Sequence, residues 1–393
     1  PLPSRERNHR AFAVPRHQRT WRHPGTKIEA VRRIAVVAGK VIGKGPLRGY
    51  LLEEVLAWLL RSSGFEVLTA DDDKDKEPWK VLKADKNGLL VRGRGAWHQV
   101  DALGQFRYVP PFSLPVRLFV EAKYLTTAPV GLPTVRNGHG VIHDVNEGET
   151  TTLTAPGTGR PRTRYRYSYA IFSTSGFSPE AQDYALAHQI SLIDLSAPDF
   201  AVLRNLVKNT ADAIHAALEA AYSWERPKVH EIRTYLRGPL LEMDTGDVDL
   251  PDAIRSPLDY LAQALHSRSQ LGLVLAFPAA PFVLGLASDD LYGFVDYASA
   301  HPTHAVRLRR INQAASHPVW ELRSAEHPEA YALRFGLPER VEAWIVQQDE
   351  GMPSRTRYVK RSMLSTMTLY WMDGEHAQTF QLRYEPGELR LDG

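Results

Sequence analysis

Leu118-Phe119-Val120-Glu121-Ala122-Lys123-Tyr124 decides how this chain reads. It belongs to an apolar run, Val116 to Tyr124, which is the strongest strand signal in the first half of the sequence. A strand alternates its faces with period two, so Glu121 and Lys123 point the same way. Two charges side by side at the end of a hydrophobic strand suggest a use. Upstream, His98-Gln99-Val100-Asp101-Ala102-Leu103 ends another strand in a carboxylate. Asp101 and Glu121 on neighbouring strands offer oxygen ligands to one hard divalent cation. Magnesium suits such a pair, because it is commonly held by one or two carboxylates together with substrate phosphate oxygens. Lys123 beside them is placed to orient an attacking water and to stabilise charge on phosphorus.

The surrounding pattern is α/β. Leu51, Leu52, Val55, Leu56, Leu59 and Leu60 form a helical stripe. Gly64 follows as a left-handed cap, and Phe65 to Leu68 reads as a strand. Short strands are expected over Leu89–Arg92 and Gln99–Leu103, a helix over Thr134–Asn146 and a strand over Arg164–Ser173. Ser178-Pro179-Glu180 is a helix start, with a capping hydroxyl, a proline at the first helical position and an acid at the positive end. A strand at Ile190–Leu195 and a long helix at Phe200–Tyr222 complete an α-β-β-β-α-β-α-β-α order. Beyond Pro251–His266, read as helix, the chain turns β-rich. Strands are expected at 271–277, 282–287, 305–310, 331–335, 341–347, 363–372 and 379–384, with an Asp373-Gly374 hairpin signal.

These residues resemble the PD-(D/E)XK nuclease superfamily and, within it, the Mrr-like restriction endonuclease domain. Leu52-Glu53 followed by Gly64-Phe65 is similar to the family's opening helix acid and glycine-aromatic pair. Asp101 corresponds to its lone aspartate, and Glu121-Ala122-Lys123 to its (D/E/Q)-x-K strand. Ser173-Thr-Ser-Gly176-Phe177-Ser178-Pro-Glu-Ala181 corresponds to its later strand-to-helix run, and Ile190 to Leu195 to the strand after it. The likeness covers roughly residues 47–200. A Pro-rich insert, Val109 to Pro115, and a Gly/Thr/Pro-rich loop, 147–163, depart from the family pattern.

The resemblance implies a restriction-endonuclease-like α/β/α core with a mixed central sheet, followed by a β-rich C-terminal domain. It implies a DNA endonuclease that hydrolyses phosphodiester bonds to 5′-phosphate and 3′-hydroxyl ends. Catalysis would rest on Glu53, Asp101, Glu121 and Lys123. Glu53, Asp101 and Glu121 would hold Mg2+, for which Mn2+ would substitute. Restriction or defence against foreign DNA is the implied role. DNA repair, a non-catalytic DNA-binding or sensor module, and RNA cleavage are the alternatives. A homodimer and a defence-system partner protein fit cutting of double-stranded DNA.

The 393 residues carry Lys+Arg 48 against Asp+Glu 45, but the charge is polarised. Residues 1–48 hold twelve Lys/Arg and only Glu6 and Glu29 as acids. An arm of that kind attracts phosphate backbones, or else serves as a solubilising tail. The domains are therefore read as a basic arm 1–46, a nuclease-like domain 47–224, and a helical linker with a β-rich domain 225–393. Gln99 shares the face of Asp101. Arg160, Arg162, Arg164 and Arg166 line one strand face, so all five are candidate nucleic-acid contacts, with a solvated edge as the alternative for the arginines. Arg307, Arg309, Arg310 and Arg355, Arg357, Lys360, Arg361 form two further basic clusters, each either a phosphate surface or surface decoration. Glu54, adjacent to Glu53, is an alternative for the helix acid and otherwise reads as a surface residue, and His139 with His143 read as surface or packing residues. The absence of cysteine excludes disulfides, thiolate catalysis and Cys-zinc sites. No run of about 18 apolar residues occurs, so no transmembrane helix is expected. No secretory h-region is seen at Pro1 to Arg7. A cytoplasmic setting follows as the expectation.

Overall fold

A computed structural model describes residues 41–75, 79–85, 88–109, 111–148, 164–223, 225–267, 272–280, 283–311, 319–337, 339–346, 364–373 and 376–386. Most of the basic arm, with Arg160, Arg162 and the 355–361 cluster, lies outside these residues. Lys40–Gly393 forms one compact unit.

α1 (Lys44–Ser62) buries the leucine stripe read from the sequence, with Leu47, Leu51, Leu52, Val55 and Leu56 at 1% exposure or less. Each such side chain stabilises the fold by about 1.5–3 kcal/mol relative to exposure. The helix ends where Gly64 takes φ +86, a conformation that lets the chain reverse into β1 (Phe65–Val67). β2 (Leu82–Asp85), β3 (Gly88–Arg92) and β4 (Trp97–Val100) make a small antiparallel sheet. β5 (Ala102–Phe106) and β6 (Val116–Lys123) belong to the main sheet. α2 (Leu132–Gly148), β7 (Arg166–Ser173), α3 (Pro179–His188) and β8 (Ser191–Asp194) follow. Ser178 caps α3 by accepting the Ala181 N–H at 3.3 Å, as its sequence suggests.

The main sheet has the order β1-β5-β6-β7-β8, so β6 is its central strand. β1, β5 and β6 pair antiparallel, while β6, β7 and β8 pair parallel. Alternation along β6 and β7 divides the side chains between two cores. Val120, Ala170 and Phe172 join a core with α1, α4 (Ala201–Ala220), α5 (Val229–Leu241) and α6 (Asp252–His266). Phe119, Tyr169 and Ile171 join another with Val135 and Val145 of α2 and Ala181 and Ala185 of α3. The sheet is thus covered by helices on both faces.

The second half closes a barrel in the order β10-β13-β12-β11-β15-β14-β9. Its strands are β9 (Leu273–Pro278), β10 (Leu284–Ala287), β11 (Thr303–Arg310), β12 (Val319–Ser324), β13 (Leu333–Gly336), β14 (Thr366–Asp373) and β15 (His376–Tyr384). α7 (Leu291–Ala300) contributes Phe294 to a core with Phe335 and Phe380. β14 and β15 pair up to Asp373 and His376, so Asp373, expected within the turn, is the last paired residue of β14. Among the described residues no helix is long and apolar enough to cross a membrane.

Two expectations are corrected. The single strand Gln99–Leu103 is broken at Asp101, with β4 in the small sheet and β5 in the main one. The strand expected at 341–347 is helix α8 (Glu339–Val346), whose first turn carries Glu339 and Glu342, as suits a positive helix end. α5 falls in the stretch read as a helical linker, for which the sequence sets no bounds before Pro251. Pro239 falls in the last turn, where losing one N–H interrupts little of the helix.

Candidate active site

Asp101 sits at the break between the two sheets. Its N–H donates to the Val120 carbonyl at 3.2 Å, and its Oδ2 accepts the Ala122 N–H at 2.7 Å. Two bonds to the same stretch of β6 hold its carboxylate near Glu121. Burial raises the Asp101 pKa, and the Glu121 charge adds to the effect, against the Ala122 hydrogen bond and Lys123. No hydrogen bond to Asp101 Oδ1 is present among the described residues.

Glu121 is engaged on both oxygens. Lys123 Nζ lies 2.5 Å from Oε1, and the Tyr169 hydroxyl donates to Oε2 at 2.7 Å. The expectation that Glu121 and Lys123 share a face is met directly by this pair. Tyr169 is fixed by stacking on Phe119, with centroids 5.1 Å apart and planes 13° apart. It is also fixed by Gly138 of α2, where an added Cβ would come within 2.7 Å of the Tyr169 ring. Burial, then the Glu121 carboxylate, holds the Tyr169 hydroxyl protonated far above its ordinary range.

Glu53 and Glu54 divide the remaining work. Glu53 lies 2.6 Å from Arg233 Nη2. Its carboxyl is pushed up to about 8 by burial, with Asp101 and Glu54 adding to the effect and Arg233 opposing it. Glu54 is not the solvent-facing acid its position suggested, being only 2% exposed. It accepts Arg233 Nε at 2.6 Å, Arg237 Nε at 2.6 Å and Arg237 Nη2 at 2.9 Å. Arg233 also lies over the Tyr50 ring at 5.1 Å. The arginines come from α5, beyond the segment read as nuclease-like. Their spacing, Arg233-Thr-Tyr-Leu-Arg237, puts both on one helix face and was the available signal.

The four acidic and basic positions singled out in the sequence therefore form one electrostatically coupled cluster at the C-terminal end of the central strand. As placed, they do not make a three-carboxylate cage: among the described residues no group of three or more His, Asp or Glu could hold a metal ion. Glu53 is turned to Arg233 instead. The carboxyls that would hold a magnesium ion are the Asp101–Glu121 pair, both partly buried and mutually repelling.

The other candidates lie elsewhere. Gln99 is an exposed position on β4. Arg166 opens β7 opposite Val116, five residues of strand before the Glu121 level, so Arg164 and Arg166 are at the far end of the sheet. His98 pairs with Asp144 at 2.7 Å, and His139 with the Tyr184 hydroxyl at 2.8 Å. Arg307, Arg309 and Arg310 are each offset by a glutamate (Glu385, Glu321 and Glu342), which removes them as a free phosphate surface.

No family model matches the sequence, and no curated protein matches it. A crystal structure of a protein of unknown function, AF1548, aligns with 16% identity over 55% of this chain and 98% of that one. Its TM-score is 0.30, a likeness too slight to carry an inference.

Proposed function

We propose that the chain is a metal-dependent nuclease that hydrolyses DNA phosphodiester bonds at Asp101, Glu121 and Lys123. The observation that carries this reading is the convergence of two partly buried carboxyls and an ammonium at the end of the central strand. The antiparallel-then-parallel pairing of β5, β6 and β7 supports the restriction-endonuclease-like reading of the core.

Asp101 and Glu121 would hold Mg2+, or Mn2+ in its place. The ion, when bound, polarises a phosphoryl oxygen and makes water a better nucleophile. The chain supplies the rest. Tyr169 orients Glu121 from one side, and Lys123, with its side chain 34% exposed, presents an ammonium both to that carboxylate and to solvent. That ammonium would stabilise charge gathering on phosphorus and orient the attacking water. Arg233 holds Glu53 at the edge of the cluster. A cytoplasmic role in restriction of foreign DNA fits this chemistry, with repair as the runner-up. Double-strand cutting would call for a second copy or a partner protein.

A non-catalytic DNA-binding module is the second reading, favoured by one observation. Glu121 is already compensated by Lys123 without a metal, and Glu53 is turned to Arg233. Plasmid DNA incubated with the protein in Mg2+, in EDTA, and with Asp101→Ala or Lys123→Ala separates the two. Nicking or linearisation that needs Mg2+ and both side chains is expected. Cleavage that survives the alanine changes refutes the site, and DNA binding without cleavage under any divalent ion favours the second reading.

A further inference from the structure

Glu53 belongs to the acidic cluster but does not work with it. The charge of Asp101 acts on Glu53, and that of Arg233 acts on both. A third carboxylate so close to the Asp101–Glu121 pair would ordinarily join it around a divalent ion, since added ligand charge tightens such a site. Here Arg233 Nη2 takes Glu53 Oε2 at 2.6 Å instead. Among the described residues no group of three or more His, Asp or Glu could hold a metal ion. The three-carboxylate site that the resemblance implies is thus undone by one side chain.

Arg233 is no surface cation that happens to reach Glu53. Its side chain is 12% exposed. Its Nε donates to Glu54 Oε1 at 2.6 Å, and its guanidinium lies 5.1 Å from the Tyr50 ring centroid. Glu54 is itself held by Arg237 through two further bonds of 2.6 and 2.9 Å. Ile232, Leu236 and Leu240 seat α5 in the core it shares with α1. With Nε committed to Glu54 and the fork planar and rigid, Nη2 is aimed at Glu53. The capture of Glu53 is therefore built in from a helix outside the main sheet and its neighbours β5 and β6.

We propose that Arg233 withholds Glu53 from the divalent-ion site, so that the ion is held by Asp101 and Glu121 alone and Glu53 becomes a third ligand only when the guanidinium lets go. Arg233 is then a positioning residue that sets the ion concentration at which the site fills. The inference rests on the reading of Asp101 and Glu121 as a metal site. Arginine suits the task, because its charge is permanent and its fork spans two carboxylates at once.

The probe is Mn2+ alone, with no nucleic acid, so that cleavage plays no part. Its binding is read from the loss of the free-ion electron paramagnetic resonance signal. The proteins are wild type, Glu53→Gln, Arg233→Met and Arg233→Met/Glu53→Gln, each checked for folding by circular dichroism. Removing a cation beside the site raises affinity whatever Glu53 does, and removing the Glu53 charge lowers it, so the decision falls to the cycle of four. Glu53→Gln is expected to weaken Mn2+ binding at least about tenfold more in the Arg233→Met background than in the wild-type one, the scale on which metal sites respond to a lost partner. A merely structural Arg233 leaves the two effects of Glu53→Gln equal, or makes Arg233→Met bind more weakly than wild type, and either result overturns the inference. Should Arg233→Met not fold, Arg233→Lys takes its place in the cycle, since an ammonium keeps the charge against Glu54 but lacks the fork that spans both acids. The excess loss is then expected to be smaller, and its absence overturns the inference equally. Wild-type protein that binds no Mn2+, or binds it no better than Asp101→Asn does, sinks this inference together with the metal site. Binding that needs Asp101, alongside effects that simply add, sinks this inference alone.

Discussion

Glu54→Ala is the sharpest perturbation the structure offers. The carboxylate is 2% exposed and takes three hydrogen bonds from Arg233 and Arg237. Removing one partner of a buried ionic group costs about 3–5 kcal/mol, because the remaining charge is stranded. Two features put this case at the lower end. Arg233, 12% exposed, keeps Glu53 at 2.6 Å, and Arg237, 40% exposed, regains water. The expected loss is therefore about 3 kcal/mol, or on the order of 4 °C in midpoint for a unit of this size. Urea unfolding followed by circular dichroism measures it. Arg237→Met should cost distinctly less, since its loss leaves Glu54 paired with Arg233. A Glu54→Ala protein within about 1 kcal/mol of wild type would refute the clamp and return Glu54 to the surface role its sequence suggests.

Two further outcomes concern the cluster itself. Glu53 has its carboxyl raised to about 8, so the native state binds that proton more tightly than the unfolded chain does. Its contribution is complete below about pH 4.5 and is lost as pH rises through about 8, at most roughly 5 kcal/mol. In metal-free buffer Glu53→Gln should flatten that fall in stability, and superimposable pH profiles for the two proteins would contradict the burial of Glu53. Tyr169→Phe removes the donor to Glu121 Oε2 but keeps the ring stacked on Phe119, so plasmid cleavage should slow about tenfold with little change in stability. An unaltered rate would show that Glu121 needs no positioning from β7.

β6 was legible because everything that specifies it is local. An apolar run sets the strand, period two sets the shared face of Glu121 and Lys123, and the structure puts their charged atoms 2.5 Å apart. The start of α3 was legible for the same reason, since a cap, a proline and an acid act within one turn. Asp101 does lie beside β6, as neighbouring strands required, but its setting was not legible. Nothing in His98 to Leu103 says that the strand leaves one sheet and enters another, because that break is made by hydrogen bonds from β6, twenty residues on. α5 fits the helical linker expected there without local signals for its bounds, and the helix at 339–346 was hidden by apolar residues that fit either period.

The contrast is sharpest at Glu53 and Glu54. By itself the sequence determined that two adjacent acids stand on an amphipathic helix ahead of a strand-borne Glu-Ala-Lys, and that these residues carry no cysteine thiol. It did not determine which acid is buried. Adjacent helical residues point about 100° apart, and the face that is covered depends on what packs against it. Here the cover is α5, whose arginines reach Glu54 from 179 and 183 residues away along the chain. Periodicity is written within a turn or a strand, whereas the partner that makes a buried charge tolerable arrives only with the tertiary structure.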